Sequence, residues 1–435
     1  MQTDQKHYVI IGNGVAGVEA ALTIRERYAP DEARVTIVSK ETEYFFSRTA
    51  LMYAYMDMME RKDLEPYERG SWAKQSIELV HDEVVDLDDG ARTLSLKGGG
   101  TIEYDRLLLA VGSSPRQVPF KGLDKVKEGV VNFVSMQDLD ECERLTWSTE
   151  QAVVVGGGLI GIELVESLLH HKVATTFLVR EQTYWPVALM PAEGTMAAAH
   201  MRHHGADLRL AEEIDEILVD DAGRVSGVRT NLGNTIPCQM LGLCIGVVAQ
   251  TGWLEETTTP PQVERGICVD RAFKTSLEHV WAAGDCIQMD IGQERPLVET
   301  IWYSAKRHGR LAAQAMMGDS VHYSPPLFFN SSKFFEIEYT TVGDVTRTPE
   351  GTQAHYARHP SKEVSINVTY LPEEGDRVIG FNMLGSRWNH RILERWVMER
   401  RSKDWVLGHL GSAQYDVEFG RAKLTDLVVA DPHVA

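Results

Sequence analysis

The chain has 435 residues, 43% apolar and 25% charged, which is enough for two or three domains that each bury a core. Its 44 Lys and Arg against 63 Asp and Glu leave a formal charge of −19. That balance speaks against nucleic acid as the main ligand, because phosphate contacts need concentrated Lys and Arg. No apolar run of about 18 residues is present, and no basic flank or cleavage signal accompanies the first short apolar run, so no transmembrane segment or secretory leader is expected and a cytoplasmic location is the default. The five cysteines (Cys142, Cys238, Cys244, Cys268 and Cys286) follow no CxxC or metal-ligand spacing; they read as reduced bystanders, and no metal is expected.

The first element is an apolar run over residues 8–11, which reads as a buried parallel strand. It leads straight into Gly12-Asn13-Gly14-Val15-Ala16-Gly17 and then a helical stretch with Ala20, Ala21, Leu22 and Ile24. In this pattern Gly12 permits the tight turn, Gly14 lets a pyrophosphate approach the backbone, and Gly17 lets the helix pack on the strand. The free N–H groups and positive dipole end of the new helix suit phosphate. A second strand over residues 35–38 follows at the right distance, and the position after it, where an acid usually grips a ribose, is Ser39. Ser39 retains a hydroxyl for the ribose, Lys40 adjoins it, and Glu41 is near enough to substitute for the acid.

A second fingerprint begins at residues 152–155 and continues as Gly156-Gly157-Gly158-Leu159-Ile160-Gly161, with a helix over 162–169 and a strand over 175–179. Two complete fingerprints imply two dinucleotides, FAD and NAD(P). Position 180 is Arg180 rather than the acid of NAD-specific folds. An arginine there suits the 2′-phosphate of NADPH, but a solvated arginine beside Glu181 fits NADH equally, so both nucleotides stay open.

With a third motif, Trp281-Ala282-Ala283-Gly284-Asp285-Cys286, residues 7 to 320 resemble the two-dinucleotide-fold pyridine nucleotide-disulfide oxidoreductase family. That family includes ferredoxin and rubredoxin reductases, apoptosis-inducing-factor-like proteins, NADH oxidases and disulfide reductases. The resemblance implies an α/β protein with two Rossmann-like dinucleotide-binding domains and a C-terminal α+β interface domain. It places FAD binding in residues 1–118 and 246–324, an inserted NAD(P) domain in 119–245, and the interface domain in 325–435. Different members dimerise through that last domain, which leaves a homo-oligomer open. It assigns Asp285, beside Gly284, to the flavin ribitol. It matches Ala110-Val111-Gly112 and Gly246 to the two linking segments, and sets Trp302 and Tyr303 against the flavin pyrimidine ring. Thr49 and Val84 are further cofactor positions, and Glu163 matches a residue near the nicotinamide.

Disulfide-reducing members place a cysteine beside the flavin, and here the equivalent stretch, residues 44–51, has Thr49 instead. A threonine can neither form a thiolate nor shuttle electrons. The stretch is closer to the ferredoxin-reductase pattern, an aromatic followed by Arg-Pro-Pro-Leu-Ser-Lys. Phe46, Arg48 and Leu51 match; Thr49 and Ala50 replace the prolines; the flavin-facing lysine is absent, with Met52 and Tyr53 nearby. Arg48 reads either as a flavin-site contact or as a surface ion-pairing residue. The expected activity is FAD-dependent oxidation of NADPH or NADH, with a small redox protein as acceptor. A quinone reductase, an NAD(P)H oxidase and an apoptosis-inducing-factor-like binding protein are the rival readings.

Smaller signals point less clearly. One helix is expected over residues 391–401; His390 and Glu394, four apart, share a helix face but have no thiolate to serve. A second helix is expected over residues 403–410. Arg395, Arg400, Arg401 and Lys403 could dock an acidic protein or form a solvated face. His170-His171 and His203-His204 lack a ligand frame, and Met52, Met56, Met58 and Met59 suit either a partner surface or a core.

Overall fold

The computed structural model describes residues 5–415, 418 and 420–434. The chain divides into two compact units: residues 1–117, 134–141 and 246–324 in the first, and 118–133, 142–245 and 325–435 in the second. Both are mixed α/β.

The first unit is built on a five-stranded parallel sheet whose strand order is Val280–Ala282, Arg106–Leu109, Lys6–Ile11, Ala33–Ser39, Ile77–His81. In the middle, Ile10 lies between Ile37 and Leu108. A strand covered on both faces must be apolar at successive positions, which is why residues 8–11 do not alternate. The helices Val15–Arg27 and Trp302–Met316 pack closely on one another, with Gly309 brought against the backbone of Ala16.

The second unit repeats the device. Asp207–Leu210, Ala174–Val179, Gln151–Val155, Met240–Leu243 and Val130–Val131 form a parallel sheet in that order. Its remainder, beyond residue 325, is a six-stranded antiparallel sheet. In that sheet Ser365–Leu371 and Arg377–Leu384 alternate in character. Ile366, Val368, Phe381 and Met383 face an apolar core with Leu393, Trp396 and Val406. The other face carries a polar row in register, Thr341, Asn382, Asn367 and Tyr356. The two C-terminal helices are His390–Met398 and Lys403–His409. The first stops short of residue 401, where Arg400 takes a left-handed φ of 56° that no helix continues through.

Among the described residues, no helix is long and apolar enough to cross a membrane.

Candidate functional site

The first Gly-rich turn sits between the Lys6–Ile11 strand and the Val15–Arg27 helix. Gly12 has φ 109°, and a Cβ there would lie 2.2 Å from the Ala110 carbonyl oxygen, so position 12 admits only glycine. Gly14, Val15, Ala16 and Gly17 open the helix, and a Cβ on Gly14 would meet nothing within 4 Å. The helix has no side-chain cap and no acid in its first turn. Open space, uncapped N–H groups and the dipole together form a cradle of the kind an FAD pyrophosphate needs.

Around that cradle the structure gathers several expected residues and gives them partners. Ser39 is buried, and its hydroxyl donates to Asn13 Oδ1 at 2.9 Å, while the Asn13 amide donates to the Thr42 carbonyl at 2.7 Å. Ser39 therefore locks the Gly-rich loop. Lys40 pairs with Glu83 at 3.1 Å. Glu41 is held by Arg48 through two bonds of 3.0 and 2.7 Å and by the Met136 N–H at 3.0 Å. Arg48 also donates to the Val134 carbonyl and lies 4.9 Å over the Phe46 ring. Both sequence readings of Arg48 thus have a counterpart: it is ion-paired and half outside, yet its charge reaches Asp285.

Asp285 follows Gly284 at the end of the Val280–Ala282 strand. Burial raises its carboxyl above the usual range, opposed by a 3.0 Å hydrogen bond from Ser113 and by the charge of Arg48. Ser113 was not among the residues expected from sequence; it directly follows Gly112 of the linking segment, and that proximity is the signal available. Ala110 is buried beside Gly12, Val111 and Gly112 lead towards Ser113, and the Gly246 carbonyl accepts the Arg116 N–H at 3.0 Å. Val84 is buried at the start of the Val84–Asp88 strand, and Thr49 is exposed with its hydroxyl 3.3 Å from Ser47.

Trp302 opens the Trp302–Met316 helix. A network absent from the sequence reading anchors that helix start. Glu299 accepts hydrogen bonds from Ser304 at 2.8 Å and Tyr323 at 2.6 Å, and its carboxylate lies 3.1 Å from His308 Nε2. Burial alone would push the Glu299 carboxyl up, but these bonds outweigh it and leave it low. Nothing local in the sequence links residues 299, 308 and 323.

The second turn, in the other unit, repeats the geometry. Gly156 has φ 112° with its Cβ direction 2.1 Å from the Cys244 carbonyl oxygen, and Gly158 faces open space. Leu159, Ile160 and Gly161 begin an uncapped helix, Leu159–His170. Arg180, 75% exposed, reaches Glu181 at 2.8 Å. Glu163 lies one turn into the helix. Burial, aided by the charge of Glu166, pushes its carboxyl up to about 8. Burial thus favours its neutral form, in which it can donate as well as accept a hydrogen bond.

No cysteine is poised for redox work. None of the five is disulfide-bonded; burial pushes the thiols of Cys238 and Cys286 up to about 12. Among the described residues no cluster of His, Cys, Asp or Glu could hold a metal. Met52 and Met56 are buried, Met58 exposed. His390 stacks on Phe329 with ring centres 3.8 Å apart. Arg400, Arg401 and Lys403 pair with Glu374, Glu399 and Asp376, so much of that basic cluster is already neutralised.

A family model described as pyridine nucleotide-disulphide oxidoreductase matches residues 6–317. The chain belongs to that family. It is an FAD-dependent NAD(P)H oxidoreductase. Over 342 residues it is 29% identical to the ferredoxin reductase subunit of a 5,5′-dehydrodivanillate O-demethylase from Sphingobium, covering 77% of this chain and 81% of that one. It is 27% identical to a Bacillus subtilis nitrite reductase [NAD(P)H], covering 80% of this chain but spanning only 42% of that longer protein. In fold it matches putidaredoxin reductase, solved in covalent complex with putidaredoxin, with a TM-score of 0.78, 22% identity, and coverage of 91% and 93%.

Proposed function

We propose that this chain is the reductase of an electron-transfer pair, oxidising NAD(P)H and delivering electrons to a small iron–sulfur protein of the ferredoxin kind. The observation that carries this reading is Thr49 in the place of a redox cysteine, while Cys286, next to Asp285, is buried with its thiol pushed up to about 12. Bound FAD supplies the chemistry, accepting a hydride and releasing electrons singly to an acceptor. The relative named as a ferredoxin reductase subunit supports the acceptor class.

The residues divide the work. Gly12, Gly14, Val15, Ala16 and Gly17 would hold the pyrophosphate of FAD at the first helix. Asp285, oriented by Ser113, would bind its ribitol, with Ala110, Val111, Gly112, Gly246, Gly284, Trp302, Val84 and Thr49 around it. Ser39 acts by shaping the loop through Asn13, and Lys40 is an outer contact. Arg48 sets the local charge at Asp285 and, with Glu41, closes that edge. Gly156, Gly158, Leu159, Ile160 and Gly161 would hold NAD(P)H. Glu163 keeps its proton near neutral pH and would orient the carboxamide of the nicotinamide rather than transfer a proton. Arg180 would leave Glu181 for a 2′-phosphate, so that both nucleotides are accepted and NADPH is preferred.

The test is steady-state turnover with NADPH and a [2Fe–2S] ferredoxin, set against menadione and oxygen as acceptors. Faster turnover with the ferredoxin is expected. Faster turnover with the quinone or with oxygen would replace this reading by a quinone reductase or an oxidase.

A further inference from the structure

The polar row on the six-stranded sheet is fully buried against the Pro191–His203 helix. Glu193, in the first turn of that helix, is 0% exposed, as are Ser365, Asn367 and Asn382, and Tyr356 is 1% exposed. One Glu193 oxygen, Oε2, is well satisfied: it accepts the Met190 N–H at 2.8 Å and the Asn382 amide at 3.0 Å. The same Asn382 amide donates to the Ala188 carbonyl at 2.7 Å.

Other atoms of the row meet no strict hydrogen-bond geometry. Glu193 Oε1, Asn382 Oδ1, both amide atoms of Asn367, Ser365 Oγ and Tyr356 Oη are all buried in this way, although Asn367 approaches Glu193 and Ser365 approaches Tyr356 closely enough to favour their charged forms. They lie together: Asn367 is in register with both Asn382 and Tyr356, Asn367 and Asn382 both act on the Glu193 carboxyl, and Ser365 acts on Tyr356. Orphaned polar atoms of this kind are rare in folded proteins, and a group of them around one carboxyl needs an explanation. Among the described residues, burial, Asn382, Met190 and Asn367 are what act on that carboxyl, and none of these is a cation. The other residues of the helix up to Ala199 carry no charge, and His200, two turns on, is engaged by the Phe335 carbonyl.

A buried carboxylate without a positive partner is costly. Apart from Asn367 Nδ2, a donor on the side chain that approaches Glu193, the unpaired atoms offer one carboxyl oxygen, two amide carbonyls and two hydroxyls. All are hard oxygen donors, and their formal charge totals one. Calcium favours more carboxylates, and magnesium keeps its waters in a strict octahedron. We propose that Glu193, Ser365, Asn367, Asn382 and Tyr356 form an internal site for a monovalent alkali cation, potassium or sodium. Bound there, the ion clamps the Pro191–His203 helix to the C-terminal sheet.

The experiment uses the purified flavoprotein dialysed into tetramethylammonium chloride. Thermal unfolding is then followed as KCl or NaCl replaces that salt at constant ionic strength. A saturable rise of about 5 °C is expected with one or both alkali salts, their midpoints identifying the preferred ion. Glu193→Gln should abolish the rise, and Ser365→Ala, a milder change, should shift the midpoint to higher salt without removing it. In crystals soaked with thallium acetate, an anomalous peak is expected within bonding distance of Glu193. Identical melting curves in all three salts, with no thallium peak, would overturn the proposal and leave ordered water around a neutral carboxyl.

Discussion

The two Gly-rich turns share a backbone and differ in what closes them. Gly12 and Gly156 have φ of 109° and 112°, and each points its missing Cβ at a carbonyl oxygen 2.2 or 2.1 Å away. After the next strand they part. Ser39 is buried and tied back to the loop by Asn13, whereas Arg180 is 75% exposed and tied only to its neighbour Glu181. The first turn is braced as for a ligand that stays; the second is open as for one that comes and goes. Under the proposed assignment the braced turn holds the resident FAD and the open one the exchanging NAD(P)H.

The largest expected effects come from breaking the shared part. Gly12→Ala and Gly156→Ala should each cost roughly 4 kcal/mol or more, because backbone must move out of the way. Thermal unfolding and flavin absorbance would check this, with flavin loss expected for Gly12→Ala and retention at low temperature for Gly156→Ala. Next come Gly14→Ala and Gly158→Ala, whose Cβ atoms enter space empty of protein. Both should fold. Gly14→Ala should be purified largely free of flavin, and Gly158→Ala should keep it while KM for NAD(P)H rises roughly tenfold.

The second turn's side chains give smaller effects. Arg180→Ala should lower kcat/KM for NADPH roughly tenfold and leave that for NADH within about twofold. No loss with either nucleotide would make Arg180 a solvated residue. Smallest is the titration of Glu163. Its carboxyl rises from an ordinary 4.5 to about 8 on folding, so between those values the unfolded chain has lost a proton that the folded chain keeps. Stability should therefore fall as pH rises from about 4.5 to about 8 and then level off. Glu163→Gln should flatten part of that slope in melts recorded across the range, with other buried carboxyls such as Asp285 and Glu166 keeping a share of it. An unchanged slope would show that Glu163 is ionised in the folded protein.

Much of this was legible from local pattern. Apolar runs without alternation named the central strands, and the glycine spacings named both turns, because each device is set by a few consecutive residues. The alternation in residues 365–371, apolar on one face and polar on the other, is plain once its sheet is known. Contacts distant in sequence were not legible. The Asn13 to Ser39 lock, the Ser113 to Asp285 bond and the union of Glu299, His308 and Tyr323 all depend on which strands lie side by side. Arg48 shows the middle case: the motif placed it near the flavin position, but its grip on Glu41 came only from the fold.

The most direct test of the flavin as the sole redox station is an anaerobic reductive titration, adding NADPH or NADH stepwise while the oxidised-flavin absorbance is followed. Full bleaching at about one nucleotide per flavin is expected, since FAD takes one hydride and Thr49 takes nothing. A requirement for about two per flavin would reveal a second, cysteine-based acceptor. No bleaching by either nucleotide would contradict the hydride route itself.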